Sequence, residues 1–109
     1  MNAPGDGVRV DGDGRVVVVG DIDVVSAPSI EAAIRKTEDR LGDSSRPLVL
    51  DAREVRFIDS SGLRILLAAS NRNSRAGRRV VLEAPGQTLV RLLEITGTGD
   101  MFDIDEPGS

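Results

Sequence analysis

Cysteine and histidine are both absent from the 109 residues. Without cysteine there is no disulfide, no thiolate metal site and no Cys nucleophile. Without histidine the usual general base, the usual zinc ligand and any Ser-His-Asp triad are excluded. Tryptophan and tyrosine are missing too, and Phe57 and Phe102 are the only aromatics, which argues against base-stacking platforms for single-stranded nucleic acid. Lys36 is the single lysine among 14 cations, and 18 acids leave a net charge of -4. That balance disfavours polyanion binding as the main task. No apolar run approaches the roughly 18 residues of a membrane span. The N-terminus lacks a signal-peptide pattern, so the expectation is a soluble, cytoplasmic protein.

What is present suits one α/β domain over residues 1–109, with an ordered core at about 8–105. Residues 1–7 and 105–109 read as short mobile ends. Val8 and Val10 alternate with polar residues, and a D-G-D-G turn at 11–14 leads to R-V-V-V-V-G at 15–20. This predicts a hairpin whose second strand is covered on both faces. Ser26–Leu41 reads as a helix: Ile30, Ala33, Ile34, Thr37 and Leu41 share one face, Ser26 is a good N-cap, Pro28 suits the first turn and Gly42 ends it. Pro47–Asp51 is a short apolar strand, and Val55–Ile58 reads as an extended connection. Ser60–Arg75 is a second helix with Leu63, Leu66, Leu67 and Ser70 on one stripe. Arg79–Glu83 is a strand, Gln87–Ile95 a third helix and Met101–Ile104 a last short strand. The order β-β-α-β-α-β-α-β predicts a mixed, mostly parallel sheet with helices packed against it. Functional residues in such folds gather where strands end and helices begin.

Two acidic clusters sit at those junctions. One is Gly20-Asp21-Ile22-Asp23; the other is Asp59-Ser60-Ser61-Gly62-Leu63. Ser60 opens a helix, where free N–H groups and the macrodipole favour an anion. A phosphate there would add about -1.5 to -2 charges beside Asp59. Ser and Asp are also ordinary N-caps, and D-S-S-G needs no function beyond capping; the two readings coexist.

The D-S-S-G-L segment at 59–63, preceded by Val55-Arg-Phe-Ile58, resembles the signature of STAS domains, and in particular of the bacterial anti-anti-sigma factors, or anti-sigma factor antagonists. Gly20–Asp23, Leu48–Asp51, Gly77 with Val80–Leu82, and Ile95–Gly97 through Phe102 resemble the family's other segments in the same order. The likeness covers roughly residues 8 to 105. It implies a STAS-like fold, with Ser60 as phospho-acceptor and Asp21, Asp23, Asp59, Ser61 and Gly62 as partner-binding residues. In it Asp23 is the acid close to the serine, and Gly62 gives the partner access to the backbone. The unphosphorylated protein would bind a serine-kinase anti-sigma factor and release its sigma factor. The kinase would phosphorylate Ser60, and a phosphoserine phosphatase would reset it. The implied protein is a monomeric binding module without catalysis, cofactor, nucleic-acid contact or membrane contact. An alternative within the family is a non-switching scaffolding module of a stress-signalling or transport complex. Thr98 departs from the family by standing where an apolar residue is usual, and the chain runs only briefly past its last strand, where many members add a helix.

Other readings fit less well. A response-regulator receiver needs a Lys near its last strand, and Lys36 is mid-helix. G-x-x-x-x-G-K-[ST] is absent, and neither Gly12-x-Gly14 nor Gly97-x-Gly99 has the context of a phosphate loop. Asp21, Asp23, Asp51 and Asp59 read as a solvated acidic rim, with a Mg2+ site as the alternative. Arg72, Arg75, Arg78 and Arg79 read as a solvated helix end, with a contact patch as the alternative.

Overall fold

The computed structural model describes residues 7–10 and 14–106. The termini beyond Gly7 and Glu106, and most of the turn expected at 11–14, lie outside the described residues. The strands are β1 (Gly7–Val10), β2 (Arg15–Ile22), β3 (Leu48–Ile58), β4 (Val80–Glu83) and β5 (Asp103–Asp105). The helices are α1 (Ala27–Leu41), α2 (Ser60–Arg75) and α3 (Gln87–Thr96), with a 3-10 turn at Gly99–Met101 before β5. The sheet order is β1-β2-β3-β4-β5. β1 is antiparallel to β2, and every other pair is parallel.

Each β-α-β crossover steps the same way across this sheet. Right-handed connections therefore place all three helices over one face. That face holds Val16, Val18, Ile22, Leu48, Leu50, Val80 and Leu82, packed into one core with Ile30, Ile34 and Leu41 of α1, Leu63, Leu66 and Ala69 of α2, and Leu89 and Leu93 of α3. Phe102 closes the same core. The expectation that β2 is covered on both faces is corrected here: Val16 and Val18 are buried, while Val17 and Val19 are half-exposed on the face without helices. Arg15 lies on that face too, with an ion pair to Glu83 and another to Asp51 at 3.6 Å.

The second correction concerns β3. It is one continuous strand of 11 residues rather than a strand and a separate connection. Of β3, only Leu48–Asp51 pairs with β4, so the remainder overhangs. Register shifts between Val17 and Val19, and between Gly20 and Asp21, let β3 keep pace with the shorter β2 up to the Ile22–Ile58 pair. One side of the overhang has no strand neighbour, and charged residues are tolerated there. That is why Arg53, Glu54 and Arg56 mask a strand.

Candidate functional site

β2 and β3 end side by side, and the two acidic clusters meet there. The Asp59 backbone N–H donates to the Ile22 carbonyl at 3.1 Å, tying the start of α2 to the end of β2. Gly62, in the first turn of α2, lies flat on this junction. A Cβ on Gly62 would sit 2.5 Å from Ile22 Cγ2, 2.7 Å from the Ile22 carbonyl oxygen and 2.8 Å from Ile58 Cγ1. Gly62 is itself buried. What its missing side chain makes room for within this chain is Ile22 and Ile58.

The Asp21–Ser26 turn is closed by reciprocal hydrogen bonds. Asp23 Oδ1 accepts from the N–H groups of Val25 and Ser26, each at 3.0 Å. Ser26 Oγ accepts from the Asp23 N–H at 3.0 Å and donates to the Asp21 carbonyl at 2.7 Å. Ser26 occupies the N-cap position as expected, yet its side chain makes no cap bond to α1; the hydroxyl points back into the turn, where Asp23 orders the backbone. The Ser26 N–H, followed by that of Val25, holds the Asp23 carboxyl below the usual carboxylate range. Asp23 therefore spends its carboxylate on its own turn rather than on Ser60. Asp21 pairs loosely with Arg56 at 3.7 Å.

Asp59 is the N-cap of α2, accepting from the Gly62 N–H at 3.1 Å. Ser60 is the first helical residue and is exposed. By position, the N–H groups of Ser60 and Ser61 have no intrahelical acceptor. The capping and anion-site readings thus divide between neighbours: Asp59 caps, which leaves the Ser60 hydroxyl free of that duty. Ser61 is half-buried and lines a cleft of about 270 Å³ with Val24, Ala27, Pro28, Glu31, Arg64 and Ile65. No group of three or more acids among the described residues is placed to hold a metal ion. Asp51 stands apart from the other three acids, on the helix-free face beside Arg15.

Two features of this end escaped the sequence reading. Val24 and Val25 are exposed; the available signal was a valine pair lying between the last strand position and the first residue of the apolar helical stripe. Gly62 as a packing residue had no local signal, because its neighbours come from β2 and from the end of β3.

A protein-family model for the STAS domain matches residues 8–107. The anti-sigma-B factor antagonist of Bacillus subtilis (strain 168) is 31% identical over 104 residues, covering 95% of this chain and 92% of that protein. The anti-sigma-B factor antagonist of Listeria monocytogenes is 32% identical over 89 residues, 82% of this chain and 75% of the other. Among solved structures, an anti-sigma factor antagonist from Mycobacterium paratuberculosis is similar with a TM-score of 0.72 at 29% identity, covering 96% of this chain and 90% of that one. The anti-sigma factor antagonist SpoIIAA in its unphosphorylated form gives a TM-score of 0.69 at 20% identity, over 92% and 87% of the two chains, a likeness of fold.

Proposed function

The chain belongs to the STAS domain family, and from that premise we propose that it acts as an anti-sigma factor antagonist switched at Ser60. The observation that carries the proposal is an exposed Ser60 within an intact Asp59-Ser60-Ser61-Gly62-Leu63, in a chain 31% identical to a named antagonist along 95% of its length. In this reading the unphosphorylated protein binds a serine-kinase anti-sigma factor in the cytoplasm and frees the sigma factor. The contact surface includes Asp21, Asp23, Asp59, Ser60 and Ser61, with Gly62 setting the seat of α2. The kinase brings its own ATP and Mg2+, and a phosphoserine phosphatase reverses the step. The chain itself works as a monomeric substrate and binding module, without a cofactor, membrane contact or direct contact to nucleic acid.

The physical basis of the switch is local charge. A phosphate on Ser60 adds about -1.5 to -2 charges next to Asp59. The first turn of α2 tolerates that charge, because its N–H groups and dipole favour an anion. The fold therefore survives phosphorylation while the partner faces a more negative surface. A loss of about 3 kcal/mol in binding weakens a complex roughly 100-fold, enough to exchange partners.

The test is intact mass and phosphosite mapping after incubation with candidate serine-kinase anti-sigma factors, ATP and Mg2+. A single added phosphate on Ser60, absent from a folded Ser60→Ala variant, is the expected result. Undiminished phosphate on Ser60→Ala moves the site to Ser61 or elsewhere. No phosphate with active kinases favours the non-switching scaffold.

A further inference from the structure

We infer that Val24 and Val25 form an apolar anchor for the kinase that approaches Ser60, an inference that rests on the function proposed above. The two side chains are 68% and 82% exposed. They are adjacent in a turn, a position that favours Gly, Asn, Asp and Ser over β-branched residues. Local structure does not require them. The turn is held by the Asp23 carboxylate and the Ser26 hydroxyl, and the apolar residues buried at its two ends are Ile22 and Ala27. Side chains presented on a backbone fixed in this way lose little freedom on binding, which favours affinity.

The occupant follows from continuity and charge. Val24 lines the cleft that also holds Ser61 and Arg64 of α2, so the valines lie on the same end of the molecule as Ser60. Any enzyme that places a phosphoryl donor at Ser60 must cover that end. Asp21 and Asp23 flank the valines on one side in sequence, and Asp59 caps the neighbouring helix. Glu31 and Arg64 line the cleft beside Val24 and Arg56 pairs with Asp21, so the surface that fits is an apolar recess with groups of both signs at its edge. Burying the two valines there removes apolar surface from water, while rim charges set the encounter rate and register.

The test uses the full chain carrying Val24→Thr and Val25→Thr together, which keeps side-chain shape and replaces one methyl of each residue by a hydroxyl. It is measured against a serine-kinase anti-sigma factor that binds the wild type. The expected result is an unchanged thermal midpoint and a Kd at least tenfold higher, carried by faster dissociation. Val24→Ile with Val25→Ile should bind at least as tightly as wild type, which guards against a fold defect in the threonine variant. Ile104→Ser, on β5 at the far edge of the sheet, should bind as wild type does. A Kd for the threonine variant within twofold of wild type overturns the anchor while leaving the switch intact. Wild-type self-association abolished by the threonine changes assigns the patch to a second copy and overturns it too. Wild type that neither binds nor is phosphorylated by any candidate kinase removes the function itself, and the anchor with it.

Discussion

Gly62 shows how a single position sets the geometry where α2 meets the ends of β2 and β3. Of the three atoms a methyl group there would meet, the Ile22 carbonyl oxygen cannot turn aside, because it accepts the Asp59 N–H. Gly62→Ala must therefore lift the first turn of α2 from β2 or break that bond. Overpacking of this kind costs about 1–3 kcal/mol. The expected outcome is a lower urea midpoint with an unchanged m-value, and slower phosphorylation of Ser60 because its residue is displaced. Ser60→Ala is the contrast: the side chain is exposed and not part of the cap, so its unfolding free energy in urea should stay within about 0.5 kcal/mol of wild type. Sequence reading located Asp59, Ser60 and Ser61 because their roles are local: a cap, a first helical residue and its neighbour. It did not give the packing role of Gly62, since what a glycine makes room for within the chain depends here on the end of β2, forty residues earlier.

Between elements, the far ends of α1 and α2 are clasped by a buried polar network. Asn73 is fully buried. Its Nδ2 donates to Glu38 Oε2 at 2.7 Å and to the Ala69 carbonyl at 2.8 Å, and its Oδ1 accepts from Arg78 Nε at 2.9 Å. Arg78 also donates to the Gly42 carbonyl at 2.7 Å, and Arg72 grips Glu38 through Nε at 2.9 Å and Nη2 at 3.1 Å. Asn73→Ala leaves the buried Arg78 Nε without its acceptor, while Glu38 Oε2 keeps Arg72 Nη2, at a cost of about 1–3 kcal/mol; thermal or urea unfolding measures it. The basic run is thereby corrected: Arg72 and Arg78 serve α1, Arg79 pairs with Asp103 at 2.6 Å, and only Arg75 is left at an exposed helix end. Helical stripes were legible because their period is written in one segment. The network was not, because its links to Glu38 and Gly42 span more than thirty residues and arginine is usually solvated. β3 was half legible for a similar reason: its apolar half matches a strand template, while the overhang is held by β2 alone.

At the scale of the molecule, the sheet separates two kinds of surface. Element order was readable, and with it the parallel pairing. The covering of a single face follows from strand order in space, since crossovers that all step one way place every helix on one side; a run of four valines carries no such information. The uncovered face is held by ion pairs instead of helices, and this has a consequence for acid stability. Hydrogen bonds from Arg15 hold the Glu83 carboxyl below its ordinary value, and those from Arg79 do the same for Asp103. In the turn between β2 and α1 the Ser26 N–H acts likewise on Asp23. Each group binds its proton more readily in the unfolded chain, so stability rises with pH through the titration. The contribution is complete above the unfolded carboxylate range of about 4, and it is lost as pH falls through the lower folded values. The melting temperature should thus be flat from pH 7 to about 5 and fall below about 4. Glu83→Gln should melt lower than wild type at pH 7, because Arg15 loses its charged partner on this strand. It should also lose less on acidification, so that the two melting curves converge toward pH 3. Parallel curves over that range would show that the Arg15–Glu83 pair does not supply the acid sensitivity of the open face.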